Sequence, residues 1–255
     1  MHFISSSQGP VVVLIHGLFG DLDNLKALAK SLESHYRVIR IDVPNHGKSE
    51  HGIAMNYPLL AQKVITLLDN ESIEHVHLVG HSMGGKIAMA MALDNPSRVN
   101  SLVIADIAPV AYASSHTQDV LDTLLSVPLE QIKDRRAAQT HLMENGVDEH
   151  TALFLLKSLI KQNNNFIWKM DVGQLKRSYN DIIDWPYHDK KYTGPSLCIR
   201  GEESDYVKKA YTQDIIRQFP AIEARTILGA GHWLHAQKPL IFNRLVKDFL
   251  DRQSN

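Results

Sequence analysis

The feature that most constrains this chain is a short apolar run that ends in a glycine-flanked serine. Residues 76–85 read Val-His-Leu-Val-Gly-His-Ser-Met-Gly-Gly, and an alanine- and methionine-rich stretch follows at 86–93. The first part predicts a strand and the second a helix. A G-x-S-x-G sequence between a strand and a helix forms a sharp turn that exposes the serine. We therefore predict that Ser82 is a nucleophile, the alternative being a glycine-rich turn with an incidental serine.

The rest of the chain alternates strand and helix patterns around this turn. Apolar, β-branched runs predict further strands at residues 11–15, 38–42, 101–106, 196–200 and 224–228. Helical periodicity follows most of them, which is typical of a mostly parallel α/β sheet with helices on both faces. In such sheets the reactive groups lie at the carboxyl ends of the strands.

The alternation stops between residues 110 and 190. This block shows helical patterns and no convincing strand; the clearest helices fall at residues 118–126, 129–143, 149–160 and 174–183. It is too long for a loop inside a compact domain. We expect an α/β core formed by residues 1–109 and 191–255, with a helical cap inserted at 110–190.

Composition excludes several classes of protein. The 255 residues are 44% hydrophobic and 22% charged with a formal charge of −1, so no global field attracts nucleic acid or an anionic membrane. The single cysteine, Cys198, excludes an internal disulfide and is expected to be a small buried apolar residue. No signal peptide or membrane span is apparent, so we expect a cytoplasmic protein. Oligomeric state, monomer or dimer, stays open.

A serine nucleophile needs a base within hydrogen-bond reach. Of the 14 histidines, His232 stands out because it lies in a Gly-Ala-Gly-His-Trp loop after the last predicted strand. The order Ser…Asp…His also matches that of α/β-hydrolases. We predict His232 as the base and His235 as the weaker alternative, and we expect His16, His46 and His81 to brace turns.

Two carboxylates compete for the third position, where an acid fixes the histidine tautomer. Asp106 ends the strand after the nucleophile unit, and Asp205 follows the strand at 196–200. Many hydrolases of this type take the acid from the later loop at G-x-x-D, but that spacing here falls on Ser204. We favour Asp106 and keep Asp205 as the alternative. The backbone N–H groups of Leu18 and Met83 are the expected donors to an oxyanion.

Five motifs together resemble the α/β-hydrolase superfamily: HGLFG (16–20), DxxNHGxS (42–49), GHSMGGK (80–86), DIAP (106–109) and GAGHW (229–233). The combination is similar to the small bacterial YbfF-type esterases, which are related to the ABHD11-type hydrolases. The resemblance implies a Ser–His–Asp esterase with a helical cap and no cofactor, acting on short acyl esters and some acyl-CoA thioesters. It also implies Asp106 as the acid.

The substrate pocket is expected to take its walls from large apolar residues, mostly of the cap, and for each of them ordinary packing is the alternative. The candidates are Phe19, Phe154, Leu155, Phe166, Trp168, Tyr179, Trp185 and Trp233.

Two other functions stay open. A carbon–carbon bond hydrolase or lyase with the same triad would need cations facing an anionic substrate, for which Arg135, Arg136, Lys157 and Arg177 are candidates. A non-catalytic binding module would not need the intact set of serine, histidine and acid.

Overall fold

The computed structural model describes residues 1–113 and 116–253. In these residues a seven-stranded sheet and a two-stranded hairpin are formed by β1 (Phe3–Ser6), β2 (Val11–Ile15), β3 (Arg37–Ile41), β4 (Val76–His81), β5 (Val99–Ala105), β6 (Leu159–Gln162), β7 (Asn165–Trp168), β8 (Ser196–Gly201) and β9 (Ile222–Ile227). The helices are α1 (Lys26–Leu32), α2 (Tyr57–Asn70), α3 (Met83–Asp94), α4 (His116–Ser126), α5 (Arg135–Glu144), α6 (Glu149–Leu155), α7 (Val172–Arg177), α8 (Tyr179–Ile183), α9 (Thr212–Gln218), α10 (Leu234–Gln237) and α11 (Pro239–Gln253).

The large sheet has the strand order β1-β3-β2-β4-β5-β8-β9, and every pair in it is parallel except β1 with β3. Strand β4, which precedes Ser82, lies at the centre, where Gly80 pairs with Ile15 on one side and Ile104 on the other. Because these neighbours are parallel, the carboxyl ends of β2, β4, β5 and β8 meet at one edge. The predicted mostly parallel α/β fold is confirmed.

Apolar side chains cover both faces of the sheet, as continuous hydrophobic strands require. On one face α1 and α11 pack through residues such as Leu28 and Phe249. On the other face α2 and α3 pack through residues such as Leu60 and Ile87, and this cluster continues into the segment between β5 and β8. Cys198 is buried, as predicted, and its burial raises the pKa of the thiol to about 12.

The segment between β5 and β8 carries α4 to α8 and, against expectation, a β-hairpin. β6 and β7 pair antiparallel around Asn163 and Asn164, whose φ angles are 47° and 68°. A two-residue loop with two positive φ angles suits asparagine and fits the twist of a hairpin. The expected absence of strands here is therefore wrong, and the signal was the Asn pair between two short apolar runs.

Several helix boundaries also differ from the predicted ones. The helix expected from residue 129 begins only at Arg135, because the Asp134 side chain accepts a hydrogen bond from the N–H of Ala137 and caps it there. The helix expected over 174–183 is two helices that meet at Ser178. The edge strand β1 was not predicted, since its serines obscure the apolar alternation.

No helix in the described ranges combines the length and the apolar character that crossing a bilayer requires.

Glycines allow the backbone to cross closely at the turn that contains Ser82. A Cβ atom on Gly84 would lie 2.3 Å from the carbonyl oxygen of Ile15, and one on Gly80 would lie 2.2 Å from the carbonyl oxygen of Gly84. Both obstacles are backbone atoms, so a rotamer change cannot relieve the overlap. The tight junction of β2, β4 and α3 therefore depends on these two glycines.

We expect Gly84→Ala to lower the free energy of unfolding by about 1–3 kcal/mol or more, because the added methyl overlaps main chain in a packed interior. Urea unfolding measures the change. The matched control is Gly173→Ala in α7, where a Cβ would meet only side-chain atoms at ordinary contact distances, the flexible end of Arg177 at 3.4 Å and Asp171 Oδ1 at 3.6 Å. Alanine favours a helix over glycine, so that variant should be as stable as the wild type or slightly more stable. Equal stability of both variants would contradict the role given to Gly84.

Candidate active site

Ser82 lies at the turn between β4 and α3 in a rare backbone conformation, with φ 54° and ψ −123°. Its N–H donates a 2.9 Å hydrogen bond to the carbonyl of Ala105 at the end of β5, which holds the turn against the sheet. The side chain faces a cavity and lies at the N-terminus of the twelve-residue helix α3. Strained backbone of this kind persists only where surrounding structure enforces it.

His232 connects Ser82 to Asp106. Its Nε2 lies 2.9 Å from Ser82 Oγ, and its Nδ1 lies 2.7 Å from Asp106 Oδ2. A carboxylate only accepts hydrogen bonds, so Nδ1 carries the proton and Nε2 is left to accept the serine hydroxyl. Asp106 is fully buried and His232 is 21% exposed. The three residues predicted from the sequence thus form one continuous hydrogen-bonded chain.

Asp106 is fixed by two further donors from the segment after β8. The N–H of Gly201 donates to Oδ1 at 2.9 Å, and the Ser204 hydroxyl donates to Oδ2. Ser204 occupies the fourth position of the G-x-x-D pattern, where the sequence analysis looked for an acid. Its hydroxyl donates a hydrogen bond to Asp106 instead of carrying a negative charge. Asp205 lies outside this network, since its side chain is 92% exposed and pairs with Lys208 at 3.4 Å.

The two expected oxyanion donors face the same cavity. Leu18 and Met83 both contribute to its wall beside Ser82. Within the described residues, neither backbone N–H has a protein hydrogen-bond partner, whereas the next one along, that of Phe19, donates to His46 Nε2 at 3.2 Å. Two unpaired N–H groups beside the serine are an arrangement suited to a developing oxyanion.

Three buried histidines brace the turns around the serine, as the sequence analysis expected. His16 donates from Nδ1 to Gly17 and accepts the N–H of Val43 at Nε2. His46 donates to the carbonyl of Pro44 from Nδ1. His81 donates from Nε2 to the carbonyl of His232 at 2.8 Å, which fixes the loop that carries the candidate base.

Burial keeps these imidazoles neutral. It lowers the pKa values of His16 and His81, and that of His46 to about 3. Burial also lowers the pKa of His235 to about 3. The His235 ring lies against that of His81, with centroids 4.3 Å apart and a tilt of 57°, and its buried Nδ1 has no hydrogen-bond partner among the described residues. Ser82 is bonded to His232 and not to His235, so the alternative base takes no part in the chain of hydrogen bonds.

One aromatic contact escaped the sequence analysis. The Tyr206 ring stacks on the His232 imidazole with centroids 3.9 Å apart and an angle of 22°. The Tyr206 carbonyl in turn accepts a 2.6 Å hydrogen bond from the Tyr112 hydroxyl. Tyr206 lies two residues after Ser204 and belongs to no recognisable sequence motif. Only the folded structure could therefore reveal its contact with His232.

The cavity beside Ser82 has a volume of about 250 Å³ and a mainly apolar wall. Of the predicted pocket residues, Phe19, Phe154, Tyr179 and Trp233 line it. Ile182 and Ile183 of the segment between β5 and β8 line it as well.

The other predicted pocket residues lie elsewhere, which corrects the expected lining. Leu155 is fully buried in the core, and Trp168 packs at the end of the unexpected hairpin. Trp185 turns its Nε1 to Gln218 at 2.9 Å and so lies behind the cavity wall. Phe166 is also absent from that wall.

The cations in the cavity also differ from those expected. None of Arg135, Arg136, Lys157 and Arg177 lines it, whereas Lys86 on α3 does. Lys86 was overlooked as a site residue although it interrupts an otherwise small and apolar helix four residues after Ser82. That interruption was a usable signal.

Comparison with known proteins agrees with this fold. A profile described as alpha/beta hydrolase fold matches residues 10–239. The chain is 36% identical over 240 residues to Esterase YbfF of Escherichia coli (strain K12), which covers 94% of this chain and 92% of the relative. It is 34% identical over 256 residues to the sn-1-specific diacylglycerol lipase ABHD11 of Danio rerio, covering 97% and 80%. Among solved structures, a marine microorganism esterase is similar with a TM-score of 0.93 and 32% identity, covering 97% and 98%.

We expect the buried neutral histidines to make the fold sensitive to acid. The pKa of His46 is about 3 in the folded protein and about 6.5 when unfolded, so the unfolded state binds the extra proton between these values. Stability is therefore full above pH ~6.5 and falls as pH drops towards ~3, by about 2 kcal/mol at pH 5 for one such histidine.

Urea unfolding at pH 7 and pH 5 measures this loss. His46→Gln, which does not titrate, should lose less stability between the two pH values than the wild type does. The control is His188→Gln, which removes an exposed histidine and should leave the pH dependence unchanged. An identical loss in the wild type and His46→Gln would contradict the assignment.

Proposed function

Because this chain belongs to the alpha/beta hydrolase family, we propose that it is a serine-dependent carboxylic ester hydrolase that works through an acyl-enzyme. The observation that carries the proposal is the hydrogen-bonded chain Ser82–His232–Asp106 at the wall of an apolar cavity. The esterases and the lipase to which the chain is similar support the same reaction class.

In the first half of the proposed reaction, Ser82 Oγ attacks the ester carbonyl while His232 Nε2 accepts the hydroxyl proton. Asp106 stabilises the imidazolium through the bond to Nδ1 and keeps the tautomer that leaves Nε2 free. The negative oxygen of the tetrahedral intermediate is stabilised by the N–H groups of Leu18 and Met83. The intermediate collapses as the imidazolium returns its proton to the leaving alcohol oxygen.

In the second half, a water molecule enters the place of the alcohol and attacks the acyl-enzyme carbonyl. His232 accepts a proton from this water and then gives it to Ser82 Oγ, so the free acid leaves and the serine is restored. A thioester follows the same steps with a thiol as leaving group. We therefore extend the proposal to acyl thioesters, including acyl-CoA.

We further propose that residues 110–190 act as a cap that shapes the acyl site. Phe154, Tyr179, Ile182 and Ile183 come from this segment and line the cavity with Ser82. A wall of this kind excludes bulk water from the reacting ester, which strengthens the oxyanion contacts. The cavity of about 250 Å³ suits short acyl chains better than long ones.

Cleavage of a carbon–carbon bond is less well supported. The four cap cations named for this alternative do not line the cavity. The cation that does, Lys86, belongs to α3 and would suit an anionic substrate of either reaction, so the choice of an ester hydrolase rests on the named esterases and lipase to which the chain is similar. Arg177 bonds to Gln174 on its own helix, and Arg135 contacts the carbonyl of Leu156.

We expect Ser82→Ala to abolish hydrolysis of p-nitrophenyl acetate, because loss of the nucleophile of such a triad costs on the order of 10⁶ in turnover. A fluorophosphonate probe should label the wild type and not the variant. Ser97→Ala, at an exposed serine, is the control and should behave as the wild type. Retention of more than a few per cent of activity by the pure Ser82→Ala protein would remove Ser82 from the mechanism.

The two candidate acids give a second expectation. Asp106→Asn should lower turnover by about 10⁴, because the amide favours the wrong histidine tautomer. Asp205→Asn is the matched control and should have little effect, since an exposed charge acts weakly through solvent. Steady-state rates on one ester compare the two variants. A larger loss in Asp205→Asn would assign the acid to the loop after β8.

A further inference from the structure

A single lysine is buried in the wall of the cavity that contains Ser82. Lys86 is 1% exposed and lies four residues after the serine, on the same face of α3. Both residues line the cavity. Lysine is almost never fully buried unless it is paired, so a buried ammonium here calls for an explanation.

Among the described residues, no carboxylate forms an ion pair with the Lys86 ammonium. The ammonium donates to the carbonyl oxygens of Ile183 at 3.1 Å and Asp184 at 2.8 Å. The Asp184 side chain is exposed and forms no ion pair with Lys86 among the described residues, although its nearby charge favours the ammonium and partly offsets the effect of burial. An ammonium has three N–H donors, so one remains.

Aromatic rings surround the remaining donor. The nitrogen lies 4.8 Å from the ring centroid of Tyr112, 5.3 Å from that of Tyr57 and 6.0 Å from that of Trp185. Ring faces stabilise a cation but do not neutralise it. Burial lowers the pKa of Lys86 to about 7, because the desolvated ammonium is less stable than it is in water, and an opposite charge beside it would restore the charged form.

In the part of the chain that the structure describes, the cavity wall contains no carboxylate that would repel an anion. Among the described residues it holds no aspartate, glutamate or arginine, and Lys86 is its one lysine. The hydroxyl of Tyr57 donates to the carbonyl of Ile182, and that of Tyr112 to the carbonyl of Tyr206, so the two phenols beside the ammonium are already engaged. Lys86 is therefore the cation of this wall that can pair with an anionic oxygen.

Resting on the proposed ester hydrolysis, we propose that Lys86 binds a carboxylate carried by the substrate itself. The preferred substrate class is then an ester with a second, ionised acid group. That group can belong to the acyl half, as in the half-ester of a dicarboxylic acid, or to the alcohol half, as in the ester of a hydroxy acid. Such a substrate supplies the negative charge that the apolar cavity lacks.

The experiment compares charged and neutral esters of the same shape. In the first arm, ethyl hydrogen glutarate is set against the ethyl ester in which an isopropyl group replaces the carboxylate. In the second arm, the acetate ester of a hydroxybutanoate is set against its isopropyl counterpart. In one arm or the other, kcat/KM of the wild type should favour the charged ester about ten- to hundredfold, the range of a hydrogen bond between charged groups.

Lys86→Met keeps the length and removes the charge, and it should bring that ratio close to or below one. The matched control is Lys157→Met, which removes an exposed lysine that lies over the Phe154 ring, and its ratio should equal that of the wild type. Because Lys86 also contacts the end of α8, the variant can lose folding or activity as a whole. Calorimetric binding of ethyl hydrogen glutarate to the Ser82→Ala protein therefore provides a readout that needs no Lys86 variant.

The two proposals fail separately. If the wild type cleaves neutral esters, shows no preference for a carboxylate in either arm and its Ser82→Ala form does not bind the half-ester, the Lys86 assignment is overturned and the ester hydrolase stands. The assignment would also be overturned if Lys86→Met lost activity on charged and neutral esters equally and the wild type showed no preference for the charged ester. If the half-ester binds but no ester is cleaved, the carboxylate site is supported and the proposed reaction is overturned.

Discussion

The close backbone contact at the start of α3 is the constraint on which the rest of this molecule depends. Gly84 presses against the carbonyl of Ile15, so β2, β4 and α3 meet at a distance that no side chain permits. That contact holds Ser82 in its strained conformation and sets the unpaired N–H of Leu18 next to it. A single steric condition therefore fixes the reactive hydroxyl and the two expected oxyanion donors together.

Neutral imidazoles hold the loops around this junction. Each of His16, His46 and His81 spans a turn, and two of them both donate and accept a backbone hydrogen bond. A neutral imidazole suits this work because it offers one donor and one acceptor on a rigid ring. Protonation of a buried imidazole would remove its acceptor nitrogen, so these loops keep their shape only at pH values at which the buried histidines stay uncharged.

The sequence was informative where chemistry and backbone geometry restrict the choice of residue. Ser82, His232 and Asp106 could be named because each follows a strand in a parallel sheet, and the carboxyl ends of such strands converge. The hairpin around Asn163 was missed although its turn residues are typical, because the helical patterns on either side dominated the interpretation.

The pocket was predicted less well, for a physical reason. Large apolar side chains serve equally to fill a core and to line a cavity, and only the placement of the helices decides between the two. Phe154 lines the cavity, whereas Trp185 lies behind the cavity wall, although the sequence pattern offers no means to tell them apart. Lys86 carried the more specific signal, because a charged side chain on an otherwise apolar helix is rarely buried without a partner.

The position of the candidate acid directly after β5 has a consequence for how the chain can vary. β4 and β5 are adjacent strands of the sheet, so Ser82 and Asp106 follow two neighbours whose spacing is set by main-chain hydrogen bonds. The loop after β8 then has to supply only a hydroxyl and an N–H to the carboxylate, not a charge in a fixed orientation. Three acidic residues of that loop, Glu202, Glu203 and Asp205, are exposed, and of these Glu202 accepts the N–H of Gly229 at 3.0 Å. Evolution can therefore alter the outer surface of this loop without disturbing the distance between nucleophile and acid.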